Sequence, residues 1–409
     1  QLAHELARRA VRVATELART RRAPVSLAGR VAQSGEYATP CDLDPFTVPL
    51  AEKVELLRDA DVSLRGAAQT VVREASLSIR REEQWQATSD GALVHQVLTR
   101  CGAGISTTAA AHGVVQRRSF PSSFGGNFRA GGFETVLALD LASHGVRMRD
   151  ESVALCSAQP CPAGKRAAIL MGNQVMLQIH ESVGHPSELD RVFGHEVDLA
   201  GSSFADPRGL RSFRYGAPIV DLVADSTIAG GLDTRAFDDD AVASQRWHVV
   251  ERGVLRGFHT SREWASAIGD AESRGAARAE SWFHPPIVRI TNLSLAPGTW
   301  ELEALVADTE DGVLCDTVKT WSIDQRRLNF QFTTELGWEI KNGRRTRLLR
   351  DPTYQGNTPE FWRSCDAICG PAHWELWGIQ NCGKGNPMQI AEMSHGAAPA
   401  RFRDVTFVR

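Results

Sequence analysis

Three things are scarce in this sequence: long apolar runs, charge of one sign, and cysteine. No run approaches the eighteen or so uninterrupted apolar residues that a membrane span needs. The 46 Lys and Arg nearly balance the 49 Asp and Glu, for a net charge of −3. The arginines far outnumber the lysines, yet they are scattered among acids and form no tract. Binding to nucleic acid or to a membrane is therefore a poor reading. Eight cysteines in 409 residues are too few for a small disulfide scaffold, and free or metal-bound thiols in a reducing cytoplasm fit better. What is present is ordinary: 42% apolar and 23% charged residues, enough for a sizeable core and a length suited to two or three domains. The chain opens at Gln1, inside a helical pattern and without Met, so its natural start is expected upstream and the lack of a signal peptide says little about location.

Residues 1–22 carry Leu2, Leu6, Val13 and Leu17 at helical spacing. A second helix is expected from Pro49, a first-turn proline, with Leu50, Val54 and Leu57 on one stripe. The period then changes. Ala75, Leu77 and Ile79 alternate with polar residues, Ser89-Asp90-Gly91 makes a turn, and Leu93 to Leu98 begins a return strand. A glycine loop at 125–132 precedes a helix expected from Phe133 to Leu141. The small-residue, proline-containing stretch from Cys156 to Gly164 reads as a linker, dividing the chain into an N-terminal α+β domain (1–155) and a C-terminal domain (156–409). After it come a buried strand (Ala167 to Met171), a Gly172-Asn173 turn and an apolar segment from Val175 to Gly184. Hairpins are expected at 247–258 and at 328–349, the latter turning at Asn342-Gly343. The fold class is α+β, with a β-rich C-terminal half that carries the apolar segment.

That segment ends in His180-Glu181-Ser182-Val183-Gly184-His185. Two imidazoles are good zinc ligands, and a glutamate beside the first can take a proton from an activated water. The familiar spacing is i, i+4; here it is i, i+5, which at roughly 100° per residue turns the second ring about 140° away on a regular helix. Either a π-type bulge absorbs the extra residue, or the helix breaks at Gly184, just before Pro186. A buried structural His–Glu pair at a helix end satisfies the same pattern. A catalytic zinc site needs a third protein ligand, and Cys315, Cys365, Cys369, Cys382, His284 and His395 are all candidates. Cys365-x-x-x-Cys369 lacks a second pair and reads as buried small residues, as do Cys156 and Cys161. Cys382 differs in lying in Asn381-Cys382-Gly383-Lys384-Gly385, where Lys384 can favour a thiolate. His195-Glu196 reads as a surface pair.

Taken together these residues resemble the TldD/PmbA peptidases, in particular the TldD-type subunit. His180 to His185 followed by Glu188-Leu189-Asp190 is similar to its HExxxH signature. Ala87 to Gly91, Pro162-Ala163-Gly164, Arg278 to Ser281, Arg289 to Asn292, Asn381 to Gly385 and Gly396 to Phe402 keep the family's order. Pro186 and Ser187 depart from the small glycine-rich continuation. The resemblance covers nearly the whole chain and places a first strand–helix segment before Gln1. It implies a zinc peptidase with His180, His185 and Cys382 as ligands and Glu181 as general base. His284 is a candidate to stabilise the oxyanion, with Arg289 structural or peptide-facing. It also implies an extended or modified peptide substrate and a dimer with a TldE/PmbA-like subunit or a second copy. Two other readings remain: a non-catalytic, substrate-positioning subunit, which has no need of the four site residues, and a hydrolase dedicated to one modified peptide in natural-product biosynthesis. The tryptophans, numerous for the length, fit core packing or a substrate path.

Overall fold

The computed structural model describes residues 2–20 and 26–409. The first helix spans Leu2–Thr20; Gln1 and residues 21–22 of the expected helix lie outside the described residues. From there the chain is α+β, with a β-rich C-terminal half.

The alternating residues around Ala75 and Ile79 belong to a long strand, Thr70–Ala87, paired antiparallel with Leu93–Ala111. The second strand also pairs with Ser34–Ala38, Val114–Phe120 and Asn127–Ala130, completing a five-stranded sheet. Helices Leu50–Ser63 and Leu141–Ser157 pack with it around a core that includes Ala60, Leu64, Cys101, Ile105 and Met148. Two expectations are corrected here. Leu50 and Val54 are exposed, and the inward stripe of the second helix is Leu56, Ala60 and Leu64. The helix expected from Phe133 to Leu141 is a single turn, Glu134–Leu137; Asp140 then takes a left-handed conformation (φ 44°) and a new helix runs to Ser157. That second helix was hidden by its mixed Arg, Asp, Ser and His content, which gives a weak apolar stripe.

Beyond residue 160, strands Asp311–Ile323, Gly164–Leu170, Ala400–Val408, Thr353–Asn357 and Asn329–Lys341 pair in that order, and the first also pairs with the last, so the sheet closes on itself. Closure leaves those five strands without a long open edge. Strand Gly164–Leu170 feeds directly through Met171 into helix Gly172–Ile179, with no separate turn at Gly172-Asn173. Every residue of this helix is buried, and the amides of its polar Asn173, Gln174 and Gln178 donate to Thr317, Tyr354 and Ser182, as buried polar groups must find partners. A four-stranded sheet (Leu293–Leu295, Leu222–Asp225, Arg246–Glu251 and Val254–Leu255) and a hairpin of Glu375–Lys384 with Gln389–Ala397 complete the scaffold around it. Among the described residues no helix is long and apolar enough to cross a membrane.

Candidate metal centre

The helix does not break at the motif. His180–Gly184 form a π-helical turn, and His185–Ser187 follow as a 3-10 turn with Pro186 inside it. The wider turn absorbs the extra residue, so His180 and His185 meet edge to face with ring centroids 4.7 Å apart. Gly184 packs closely here: a Cβ there would sit 2.7 Å from Ile290 Cδ1, so that side chain would have to shift.

Cys382 reaches the same point from the hairpin. A register shift between Ile379 and Cys382 re-aims the strand, and the buried Arg289 guanidinium donates to the main-chain carbonyls of Cys382 and Gln389. Arg289 therefore pins the hairpin that delivers the thiol. The ligand atoms of His180, His185 and Cys382 all lie within 4.8 Å of one another, and Cys382 Sγ is 3.6 Å from His185 Nε2. In a tetrahedral zinc site with ordinary Zn–N and Zn–S lengths, N and S stand about 3.5 Å apart, so the donor set fits such an ion.

The far sides of the two rings fix their tautomers. His395 Nδ1 donates to the Leu293 carbonyl (2.8 Å), so its Nε2 accepts from His180 Nδ1 (2.8 Å). His185 Nδ1 donates to Glu188 Oε2 (2.9 Å). Both Nε2 lone pairs are thereby left for a metal, with the outer-shell support that ligating imidazoles use. Burial drives the His180 pKa down to about 4 and lowers that of His185, against the pull of its Cys382 and Glu188 neighbours. Burial pushes the Cys382 thiol up, but the facing His185 and the Arg289 charge outweigh it and the net shift is downward. Lys384 does not act on the thiol as the sequence suggested: its ammonium lies 2.7 and 2.9 Å from the Asp190 oxygens. Glu188 is fully buried, yet Lys384, His185 and Arg191 overcome that burial and hold its carboxyl well below the usual range.

Glu181 lies with the three donors on the wall of a cavity of about 310 Å³ that Phe124, Trp321, Arg327, Ile379 and Asn381 also line. Arg327 was not singled out by the sequence; it lies in a turn more than a hundred residues away, and no short motif points to it. His284 is not among the lining residues: its Nδ1 is 2.9 Å from Ser281 Oγ, on the loop of the exposed Trp282 and Phe283. Cys315, Cys365 and Cys369 are buried in the core, and His395 stands behind His180. The expected surface pair divides, with His195 exposed against Trp264 and Glu196 buried, accepting from Gly385 N. The tryptophans divide too: Trp362 is fully buried, Trp85 is exposed, and Trp321 faces the cavity.

A buried His/His/Cys set that could hold a metal ion thus lies beside a glutamate in this fold. The chain belongs to the PmbA/TldD metallopeptidase family: residues 43–155 match the PmbA/TldA metallopeptidase central domain and residues 164–408 the C-terminal domain. It is 30% identical to a metalloprotease of Methanocaldococcus jannaschii over 348 residues, covering 84% of this chain and 71% of that one. It is 29% identical over 199 residues to a zinc metalloprotease TldD homolog of Saccharolobus solfataricus, covering 48% of this chain and 42% of that one. Its fold is shared with TldE from Thermococcus kodakarensis, with a TM-score of 0.67 at 15% identity over 95% of this chain and 80% of that one.

Proposed function

We propose that the chain is a zinc-dependent peptidase that hydrolyses extended, unstructured or modified peptides, as the catalytic member of a TldD/TldE-like pair. The observation that carries this reading is the meeting of three ligand atoms within 4.8 Å beside a glutamate on an open cavity wall. The name of the S. solfataricus relative supports zinc, and the fold shared with a TldE supports the pairing of two like subunits. The ends of the two family matches, at 155 and 164, support a domain division at 155/156.

His180, His185 and Cys382 would hold the ion, which when bound polarises the scissile carbonyl and makes water a stronger acid. The remaining chemistry falls to this chain's side chains. Glu181 takes a proton from the attacking water and passes it to the leaving amine nitrogen. Phe124, Trp321 and Ile379 give the cavity an apolar side that suits a peptide side chain next to the scissile bond. A donor to the oxyanion completes the proposal; His284 fills that role only if its loop closes over bound peptide.

The test is metal content per chain in protein purified without added metal, for wild type and Cys382→Ser, followed by digestion of unfolded casein. About one zinc per chain in wild type, little in the variant and broad cleavage of casein are expected. Folded wild type without metal overturns the reading. Zinc with cleavage of a single modified peptide selects the dedicated hydrolase instead, and zinc with no hydrolysis of any peptide selects the positioning subunit.

A further inference from the structure

Arg327 lies in the turn between the long strands Asp311–Ile323 and Asn329–Lys341. The Asp324 side chain accepts from the backbone N–H of Leu328 (2.8 Å) and Asn329 (3.1 Å). The 200–204 segment pairs with the turn through Ser202 N to Gln325 O and Phe204 N to Arg326 O, both 2.8 Å. Thr358 Oγ1 donates to the Arg327 carbonyl at 3.0 Å. So held, Arg327 adopts φ 60°, a left-handed conformation that a residue with a Cβ occupies at a cost and that over-determined functional turns sustain.

This conformation sends the guanidinium into the cavity wall, where Nη1 donates to Glu181 Oε2 at 2.6 Å. The side chain is 15% exposed, and its Nε is buried with no hydrogen-bond partner. Among the described residues, Arg327 alone hydrogen-bonds the Glu181 side chain, and only through one oxygen. A purely structural ion pair would be served as well by a two-pronged contact. Here Oε2 is clamped, Oε1 has no hydrogen-bond partner among the described residues, and the residue stands on the cavity wall.

We propose that Arg327 is the positioning residue for the hydrolytic base. By holding Oε2 it presents Oε1 as the oxygen that takes the proton when the water oxygen bonds to the carbonyl carbon. When the C–N bond breaks, the same proton goes to the amine nitrogen, so water and amide become acid and amine with Glu181 unchanged. A guanidinium suits the task because it stays charged and its planar donors fix direction, which a lysine ammonium does not. This rests on the peptidase reading above.

The test compares zinc-loaded, full-chain wild type, Arg327→Ala and Arg327→Lys by zinc content, casein hydrolysis and crystal structure. Arg327→Ala should keep its zinc and its KM while kcat falls about a hundredfold, the scale of a 1 Å misplacement. Arg327→Lys, or guanidinium added to the Ala variant, should restore part of kcat, and the Glu181 carboxylate should be displaced in the Ala crystal structure. An unchanged kcat, a change confined to KM, or an unmoved Glu181 overturns the proposal. If Arg327→Ala does not fold, Arg327→Lys carries the same comparison through its intermediate kcat and its Glu181 position. Zinc-bound wild type that leaves casein intact counts against the peptidase reading, and the Glu181 position then decides the role of Arg327.

Discussion

Glu181 and its neighbours divide the work of the centre atom by atom. His180 and His185 each spend Nδ1 on a buried partner, His395 and Glu188, which leaves Nε2 able to ligate a metal. Glu181 has no ligand geometry to fulfil and is tied to Arg327 instead. Glu181→Gln should therefore keep the metal, since the three donors are untouched, and lose turnover by ~10²–10⁴-fold, the range for removing a general base. Metal analysis alongside peptide hydrolysis checks both halves, and loss of zinc in that variant would make Glu181 a ligand. The motif residues were legible because their chemistry is concentrated in six consecutive positions. Their supporting partners were less so. His395 read as one more candidate ligand, and its place behind His180 follows from the packing of its strand against the distant Leu293–Leu295, whose carbonyl holds its Nδ1. Arg327 left no local signature at all.

The element that makes the i, i+5 spacing work is the π turn, and its weak point is the contact of Gly184 with Ile290. A methyl at position 184 would lie 2.7 Å from Ile290 Cδ1 and 3.1 Å from its Cγ2, and the surrounding residues are fully buried, so little can yield. Gly184→Ala is expected to cost about 1–3 kcal/mol, the usual range for overpacking, and to weaken metal binding by moving His185 relative to His180. Adding Ile290→Val removes the nearer carbon and should recover part of both losses. Thermal unfolding and zinc titration of the single and double variants measure this; equal losses in the two would place the strain elsewhere. The two possibilities at Gly184, a bulge or a break, were both visible in the spacing, and the chain takes the bulge, with Gly184 packed closely against Ile290. Elsewhere local pattern served unevenly. The alternation at 75–79 and the Asn342-Gly343 turn located strands well, because period 2 and a left-handed Asn-Gly turn are strong signals. Helix Leu141–Ser157 was missed because its buried positions are Gly145, Ser152 and Cys156 as much as Leu and Met.

Across the whole molecule the centre is built where separate sheets converge on one buried segment, so its integrity and global stability are coupled. Arg118, on the N-terminal sheet, meets Glu151 as well as Asp316 and Glu335 on the closed sheet (2.7–3.2 Å). His259 makes a second such tie. It follows the four-stranded sheet, its backbone exchanges hydrogen bonds with Ser187 O (2.8 Å) and Leu189 N (3.1 Å) just after the motif, and its Nδ1 lies 2.9 Å from Ser187 Oγ. The ring is fully buried, with Nε2 unpartnered, so a proton there would add a charge with no acceptor. Burial accordingly lowers its pKa to about 4, although the Glu188 charge pulls the other way. An unfolded chain protonates this histidine near 6.5, so between the two values the unfolded state binds the extra proton. Stability from keeping His259 neutral is complete above pH 6.5 and is lost as pH falls toward 4. His259→Gln cannot gain that proton, while the other buried histidines titrate alike in both proteins. Urea unfolding at pH 7 and pH 4.5 should therefore show wild type losing on the order of 2.5 kcal/mol more than the variant. Parallel losses would mean that the ring protonates in place, with water or a moved side chain reaching Nε2, and that the junction between the sheet and the motif is looser than its hydrogen bonds indicate.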